Sequence, residues 1–276
     1  MRRLAITAIV KSLAILEALS RVEGPHRLGD IAARAGVGKP STHRILQELT
    51  DRGFARLERP GYYAPGPRLI ALASEVLGED RWSHGVLSVL QALRSATGHT
   101  VHFAIRSGHE AIYVQKLNAD QPYQMVSKVG MRIPLYCTSI GKFVLAWLDA
   151  EEIGSLWSHL SFTARTPNTL TSRQELEKEL LVVRSEGFAI DNEENELNVR
   201  CVGAPVFDHK GQVIGGVSVS ALVFQLSSTG AIELAPTVVK SGFELSSVIS
   251  AFADQGVEWR DVVRSGISAN PPEEGP

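Results

Sequence analysis

Only 2 cysteines occur in 276 residues, Cys137 and Cys201, far apart and without a CxxC pair. That excludes a disulfide-stapled secreted scaffold and implies a reducing, cytoplasmic setting. No apolar run reaches the roughly 18 residues that a membrane-spanning helix needs. The 8 histidines show neither HxH nor HExxH spacing, so no metal site and no cofactor is expected. Internal repeats are absent. The opening MRRLAITAIVKSLAILEALS has the arginines and apolar residues of a secretory leader. Lys11 and Glu17 interrupt its apolar runs and no small-residue cleavage site follows, so it reads as a helix instead.

Net charge of one sign is also missing: the formal value is −2. The average hides an asymmetry. Residues 1–68 carry 12 Lys/Arg against 6 Asp/Glu, leaving 16 against 24 for the rest. A basic module on an acidic body concentrates positive potential where phosphates would dock.

What is present begins with LGDIAARAGVGKPSTHRILQEL, residues 28–49. It reads as two short helices joined at Gly36. Leu28, Ile31, Ala32 and Ala35 give the first a packing face, and Gly36 permits the positive φ that turns the chain. In the second helix Thr42, Ile45, Leu46 and Leu49 fall inward, while Pro40, Ser41, Arg44, Gln47 and Glu48 fall outward, as in a recognition helix. An amphipathic helix over 8–22, with Ile9, Leu13, Ile15, Leu16 and Leu19 on its stripe, precedes them. A two-stranded ribbon turning at Pro60-Gly61 follows, with Phe54 and Leu57 expected under the helices. Together these spell a winged helix-turn-helix, which predicts a double-stranded DNA partner. Lys39, Pro40, Ser41, Thr42, His43 and Arg44 are the candidate operator contacts, Arg44 as a bidentate guanine reader. Arg56 and Arg59 are candidate phosphate or minor-groove contacts. Thr42 has an alternative place in the core.

Pro65-Gly66-Pro67 closes this module. A connecting helix is expected over 67–78, whose wide apolar face implies burial against a partner subunit. Beyond it come a helix at 81–97, strands at 101–108 and 111–118, a short strand at 132–136 and a helix at 138–148. Helices near 149–159 and 172–186 follow, then strands at 188–194, 197–208 and 212–222 and a closing helix at 230–253. Hairpin-joined strands with helices on one side give an antiparallel α+β domain. The domain boundaries read as 1–66, a linker helix at 67–80, a second domain at 81–256 and a C-terminal tail at 257–276, which from Gly266 is Pro- and Glu-rich and expected to be disordered.

Three ordered motifs, GKPSTHRILQEL, IPLYCTSIGKFVLAWL and GFAIDNEENELNVRCVGAPVFD with GGVSVS, resemble the IclR-type transcriptional regulators. The resemblance implies a winged helix-turn-helix joined by a helix to a GAF-like antiparallel α+β effector-binding domain. It also implies a homodimer or homotetramer on a palindromic operator and a small carboxylate effector. Carried over position by position, Met125, Ile133, Ser139, Ile140, Asp191, Cys201, Ser218 and Ser220 would line the effector pocket. The run from Gln124 to Lys142 and the acidic DNEENE are similar to members sensing 2-keto-3-deoxy sugar acids. Glyoxylate-like and aromatic acids are the alternatives.

Elementary geometry agrees in part. Ser218 and Ser220 lie two apart on one strand and share a face. The free N–H groups at the start of the 138–148 helix suit a carboxylate. Each residue also has a plain structural alternative: Ser218 and Ser220 as a solvent face, Cys201 as core filler, Ser139 as a helix cap, Asp191 as an exposed acid. Lys142 and Arg200 are expected in surface ion pairs. An enzyme with Cys201 as nucleophile is disfavoured, because no histidine adjoins it and no G-x-C-x-G elbow surrounds it. A GAF-type binding module without transcriptional output is the remaining alternative.

Overall fold

Apolar residues spaced three and four apart form helices where another face can cover them. The computed structural model describes residues 8–20, 25–77, 81–121 and 125–251. They divide into one unit within Met1–Asp80 and another within Arg81–Pro276.

The first unit runs α1 (Ala8–Ser20), β1 (His26–Arg27), α2 (Leu28–Ala35), α3 (Lys39–Asp51), β2 (Ala55–Arg59), β3 (Tyr62–Pro65) and α4 (Pro67–Leu77). Ile15, Leu19, Ile31, Val37, Leu46, Ala55 and Tyr63 form its core. Gly36 closes α2 at φ 63, and Val37 N–H donates to Ala32 O at 3.0 Å, the left-handed C-terminal turn expected there. The expected ribbon is present, with an addition. Strand β1 pairs with β3, giving a three-stranded sheet in the order β1-β3-β2. A two-residue strand is too short for alternation to reveal it. Two expectations fail. Ile9 and Leu13 on α1 are exposed, because only Ile15, Ala18 and Leu19 of that helix reach the core. Leu57 is exposed rather than packed under the helices, since a register shift between Leu57 and Arg59 turns the strand outward.

The second unit runs α5 (Arg81–Thr97), β4 (Thr100–Ser107), β5 (Glu110–Leu117), β6 (Arg132–Pro134), α6 (Ser139–Trp147), α7 (Ala150–Leu156), α8 (Arg173–Glu186), β7 (Ala189–Asn192), β8 (Val199–Phe207), β9 (Val213–Leu222) and α9 (Ser228–Ala251). Its six strands form one antiparallel sheet in the order β6-β5-β4-β9-β8-β7. Helices cover both faces, which corrects the expectation of one. Alternation explains it: Val101, Phe103, Val202, Ala204, Val206, Val217 and Val219 bury one face under α5 and α9. The opposite face packs under α6, α7 and α8 through Ala104, Ala111, Phe143, Leu176 and Leu180. With apolar cover on both sides, the strands read as near-continuous hydrophobic runs.

The expected ends of the helices at 8–22, 67–78 and 230–253, and the tail from 257, fall outside the described residues. Among the described residues, no helix is long and apolar enough to cross a membrane, and no group of three or more His, Cys, Asp or Glu is placed to hold a metal ion.

Candidate functional site

On the first unit, α3 begins with Pro40 in its first turn, where a missing N–H costs nothing. Lys39, Pro40, His43 and Arg44 are exposed and Ser41 is half-buried. Arg44 makes no hydrogen bond or ion pair among the described residues, so its guanidinium is available to a partner. Of its two readings Thr42 takes the core one and not the operator one: it is fully buried, and its Oγ1 donates to Gly38 O at 3.2 Å. A side chain sealed under its own helix start cannot reach a base. Arg56 and Arg59 are both exposed on β2, but their surroundings differ. Arg56 pairs with Glu58 at 2.7 Å, whereas the Arg59 guanidinium lies over the Tyr62 ring, 3.9 Å from its centroid.

On the second unit, a cavity of about 270 Å³ lies between the α6-covered sheet face and the segment 125–131. Every expected effector residue lines it: Met125, Ile133, Ser139, Ile140, Asp191, Cys201, Ser218 and Ser220. Strand register brings them together. Cys201 pairs with both Asp191 and Ser220, so one row crosses β7, β8 and β9. Ser218 stands opposite His102 on β4.

Helix α6 enters the cavity by its N-terminus. Thr138 caps it, accepting from Gly141 N–H at 3.0 Å and donating to Pro134 O at 2.7 Å. The cap is therefore Thr138, not Ser139. No hydrogen bond among the described residues takes the N–H of Ser139 or Ile140. The hydroxyls of Ser139 and Ser218 likewise have no partner among the described residues, and both open into the cavity. Gly141 lets the helix start sit this low, because a Cβ there would clash with the Leu135 backbone.

Electrostatics set the character of the walls. Asp191 is 3% exposed, and its Oδ1 accepts from the N–H of Glu194 at 2.8 Å and of Asn195 at 3.3 Å. Burial, followed by the charge of Glu194, pushes its carboxyl up to about 7, well above the ordinary 3.8. The reading of Asp191 as an exposed acid fails. His102 is held neutral, pushed down to about 3 by burial and then by Lys116. Its ring nitrogens meet Ser127 Oγ at 2.7 Å and Ser220 Oγ at 3.3 Å, and its ring stacks on Tyr113. Burial also pushes the Cys201 thiol up, which suits a wall residue and not a nucleophile.

Below the cavity, Lys142 corrects another expectation. It is 1% exposed and bridges Glu194 at 2.6 Å and Glu179 at 2.8 Å. Burial opposes its charge, but the two carboxylates outweigh that and hold it charged. Glu194 Oε2 is buried without a partner among the described residues, and burial pushes that carboxyl up despite Lys142. Arg200 is also buried; its Nε donates to Asn192 Oδ1 at 2.8 Å and its Nη1 to Leu226 O at 2.5 Å. Neither residue sits in a surface ion pair.

Several cavity residues were not foreseen: His102, Tyr113, Thr138, Arg165, Asn195 and Glu196. Alternation along VHFAIR would have put His102 on the face opposite Val101 and Phe103. Arg165 lies in irregular chain with no periodic signal; it is exposed, and its Nε donates to Asn195 O at 3.1 Å. The cavity thus offers free backbone donors, a rim guanidinium, hydroxyls and a neutral imidazole. These suit a small anion that carries hydroxyl or carbonyl groups.

Comparisons with known proteins match both units. A family model for the IclR helix-turn-helix domain matches residues 8–59. One described as the bacterial transcriptional regulator IclR C-terminal region matches residues 83–247. The chain is 30% identical over 245 residues to the HTH-type transcriptional regulator XynR of Escherichia coli, covering 88% of this chain and 97% of that protein. It is 31% identical over 217 residues to the regulator KdgR of Dickeya chrysanthemi, covering 78% and 71%. The crystal structure of the Thermotoga maritima IclR superposes with a TM-score of 0.66 at 31% identity, covering 86% of this chain and 96% of that one.

Proposed function

The chain belongs to the IclR family of bacterial transcriptional regulators, and from that premise we propose a metabolite-controlled repressor of a catabolic operon. In this reading the exposed face of α3, led by Arg44, reads a palindromic operator, and the protein acts in the cytoplasm as a homodimer or homotetramer. A small carboxylate occupies the cavity of the second unit, with its anionic end at the N–H groups of Ser139 and Ile140. Ser218, Ser220 and Asp191 meet its hydroxyl or carbonyl groups. The protein is not an enzyme; its cavity binds and does not transform.

One observation carries the effector reading. Among the described residues, the hydroxyls of Ser139 and Ser218 and the helix-start N–H groups of Ser139 and Ile140 open into one cavity without protein partners, which leaves their hydrogen bonds available to a bound anion. The cavity size and hydroxyl-rich wall favour a 2-keto-3-deoxy sugar acid. Effector binding changes DNA affinity only through its differential affinity for the two states of the regulator.

A thermal-shift screen of sugar acids, glyoxylate-like keto acids and benzoates tests this. A ligand at 100-fold its Kd stabilises by about 2.7 kcal/mol, and Ser218→Val, which replaces a cavity hydroxyl by apolar bulk, should reduce the shift. Stabilisation by benzoates alone would refute the sugar-acid assignment. A mobility shift on the intergenic DNA beside its gene tests the operator; no preference for any such duplex would refute the DNA reading.

A further inference from the structure

We propose that Arg27 and Arg59, held on either side of Tyr62, form a two-pronged clamp for the phosphate backbone of duplex DNA, with Tyr62 as its positioning residue. The inference deepens the DNA-binding reading and rests on it. It adds two residues, Arg27 and Tyr62, and separates Arg59 from Arg56.

Register builds the clamp. Tyr62 on β3 stands opposite Arg27 on β1 and opposite Arg59 on β2. Directly opposed residues on neighbouring antiparallel strands project from the same face, so the three side chains make one cross-strand row. The register shift between Leu57 and Arg59 is what brings Arg59 opposite Tyr62. An added residue in one strand re-aims the side chains that follow it.

The contacts hold both guanidinium groups. Arg59 lies 3.9 Å from the Tyr62 ring centroid and Arg27 5.4 Å from it. Arg27 Nε also donates to Tyr62 Oη at 2.5 Å. Stacking occupies the flat face of the Arg59 guanidinium and leaves its N–H edge free to fork onto phosphate oxygens, while Arg27, whose Nε is taken by Tyr62 Oη, keeps its two Nη groups for the same use. Both arginines are exposed, and neither has a carboxylate within ion-pair distance among the described residues. Arg56 differs, since Glu58 at 2.7 Å compensates its charge.

The row is also tied to the helix-turn-helix. Arg27 immediately precedes α2, and Leu28 N–H donates to Gly61 O at 3.0 Å in the ribbon turn. Two cations without an ion pair among the described residues, already ordered beside the first helix of the motif, fit the evenly spaced charges of a nucleic-acid backbone. They carry no means of reading sequence.

The test measures anisotropy of the full-length protein on a random-sequence duplex across a range of salt. Phosphate contacts release counterions, so Arg27→Ala and Arg59→Ala should each flatten the slope of log K against log salt by about 0.9 per head. Tyr62→Ala should weaken binding about two- to fivefold, the worth of an exposed cation–π contact. Tyr62→Phe, which keeps the ring, should weaken it less. Arg56→Ala should cost less than either clamp variant. Wild-type slopes in Arg27→Ala and Arg59→Ala, or losses equal to that of Arg56→Ala, would overturn the clamp while leaving operator recognition through Arg44 standing. A wild-type protein with no salt-dependent binding to any duplex would overturn the DNA reading itself. Thermal melts of each variant confirm that exposed substitutions leave the fold intact.

Discussion

Replacing Asp191 by Asn removes a titrating charge while keeping the carbonyl oxygen that accepts from Glu194 and Asn195 N–H. The groups around Asp191 are Glu194, Asn195 and Glu196 on its own loop, Cys201 on β8, Tyr113 on β5, Cys137 ahead of α6, Lys142 on α6 and Arg165 at the rim. Burial and Glu194 raise the folded pKa from 3.8 to about 7. The folded state therefore holds a proton that the unfolded chain gives up at lower pH. Stability from this group is fully present below the unfolded value and is lost as pH rises through about 7. The whole shift is worth on the order of 4 kcal/mol, and the part lost between about pH 5 and about pH 8 is about 2.5 kcal/mol. Asp191→Asn should escape that loss. In urea titrations of the full chain, wild type should fall behind the variant by about 2–3 kcal/mol over that interval, with the variant the more stable at the alkaline end. Parallel stability curves would refute the account, because they would mean that Asp191 ionises without penalty. An anionic effector beside Asp191 should raise its pKa further, so binding should take up a proton and tighten towards acid pH. Calorimetry in buffers of different ionisation enthalpy measures that proton, and Asp191→Asn should abolish it.

Three other outcomes follow from named contacts. Arg44→Ala should cost about 1–3 kcal/mol on the specific operator and little on random DNA; equal losses by fluorescence anisotropy would mean that Arg44 touches only the backbone. Lys142→Met strands Glu194 in the interior and should destabilise by about 3–5 kcal/mol in urea, whereas removing both charges with Lys142→Met and Glu194→Leu should recover part of it. A Lys142→Met loss below about 1 kcal/mol would show the pair to be solvated. Gly141→Ala drives a Cβ into the Leu135 backbone and should cost about 1–3 kcal/mol by overpacking, read as a lower Tm together with weaker effector binding.

Much of the fold was legible because it depends on local periodicity. The helix pair with its turn at Gly36, the hairpins, and the order of strands and helices in the second unit all appear as read. The cavity residues came through a resemblance to a family and not through spacing, since Ile133 on β6 and Ser220 on β9 reach one cavity only through the pairing of strands distant in the chain. His102 was within reach of strand alternation; Arg165, in irregular chain, was not.

The sequence by itself determined which segments form helices and strands, because the 3.6- and 2-residue periods are written into neighbouring side chains. It also determined that α3 presents Arg44 and its neighbours outward. Tertiary structure alone decided that Lys142 is interior, that the Asp191 carboxyl is raised to about 7 and that Arg27 joins Arg59 around Tyr62. The physical reason is the same in each case. Burial and charge pairing depend on partners distant in the chain: Lys142 is charged in the interior because α8 brings Glu179 and the loop after β7 brings Glu194 to it.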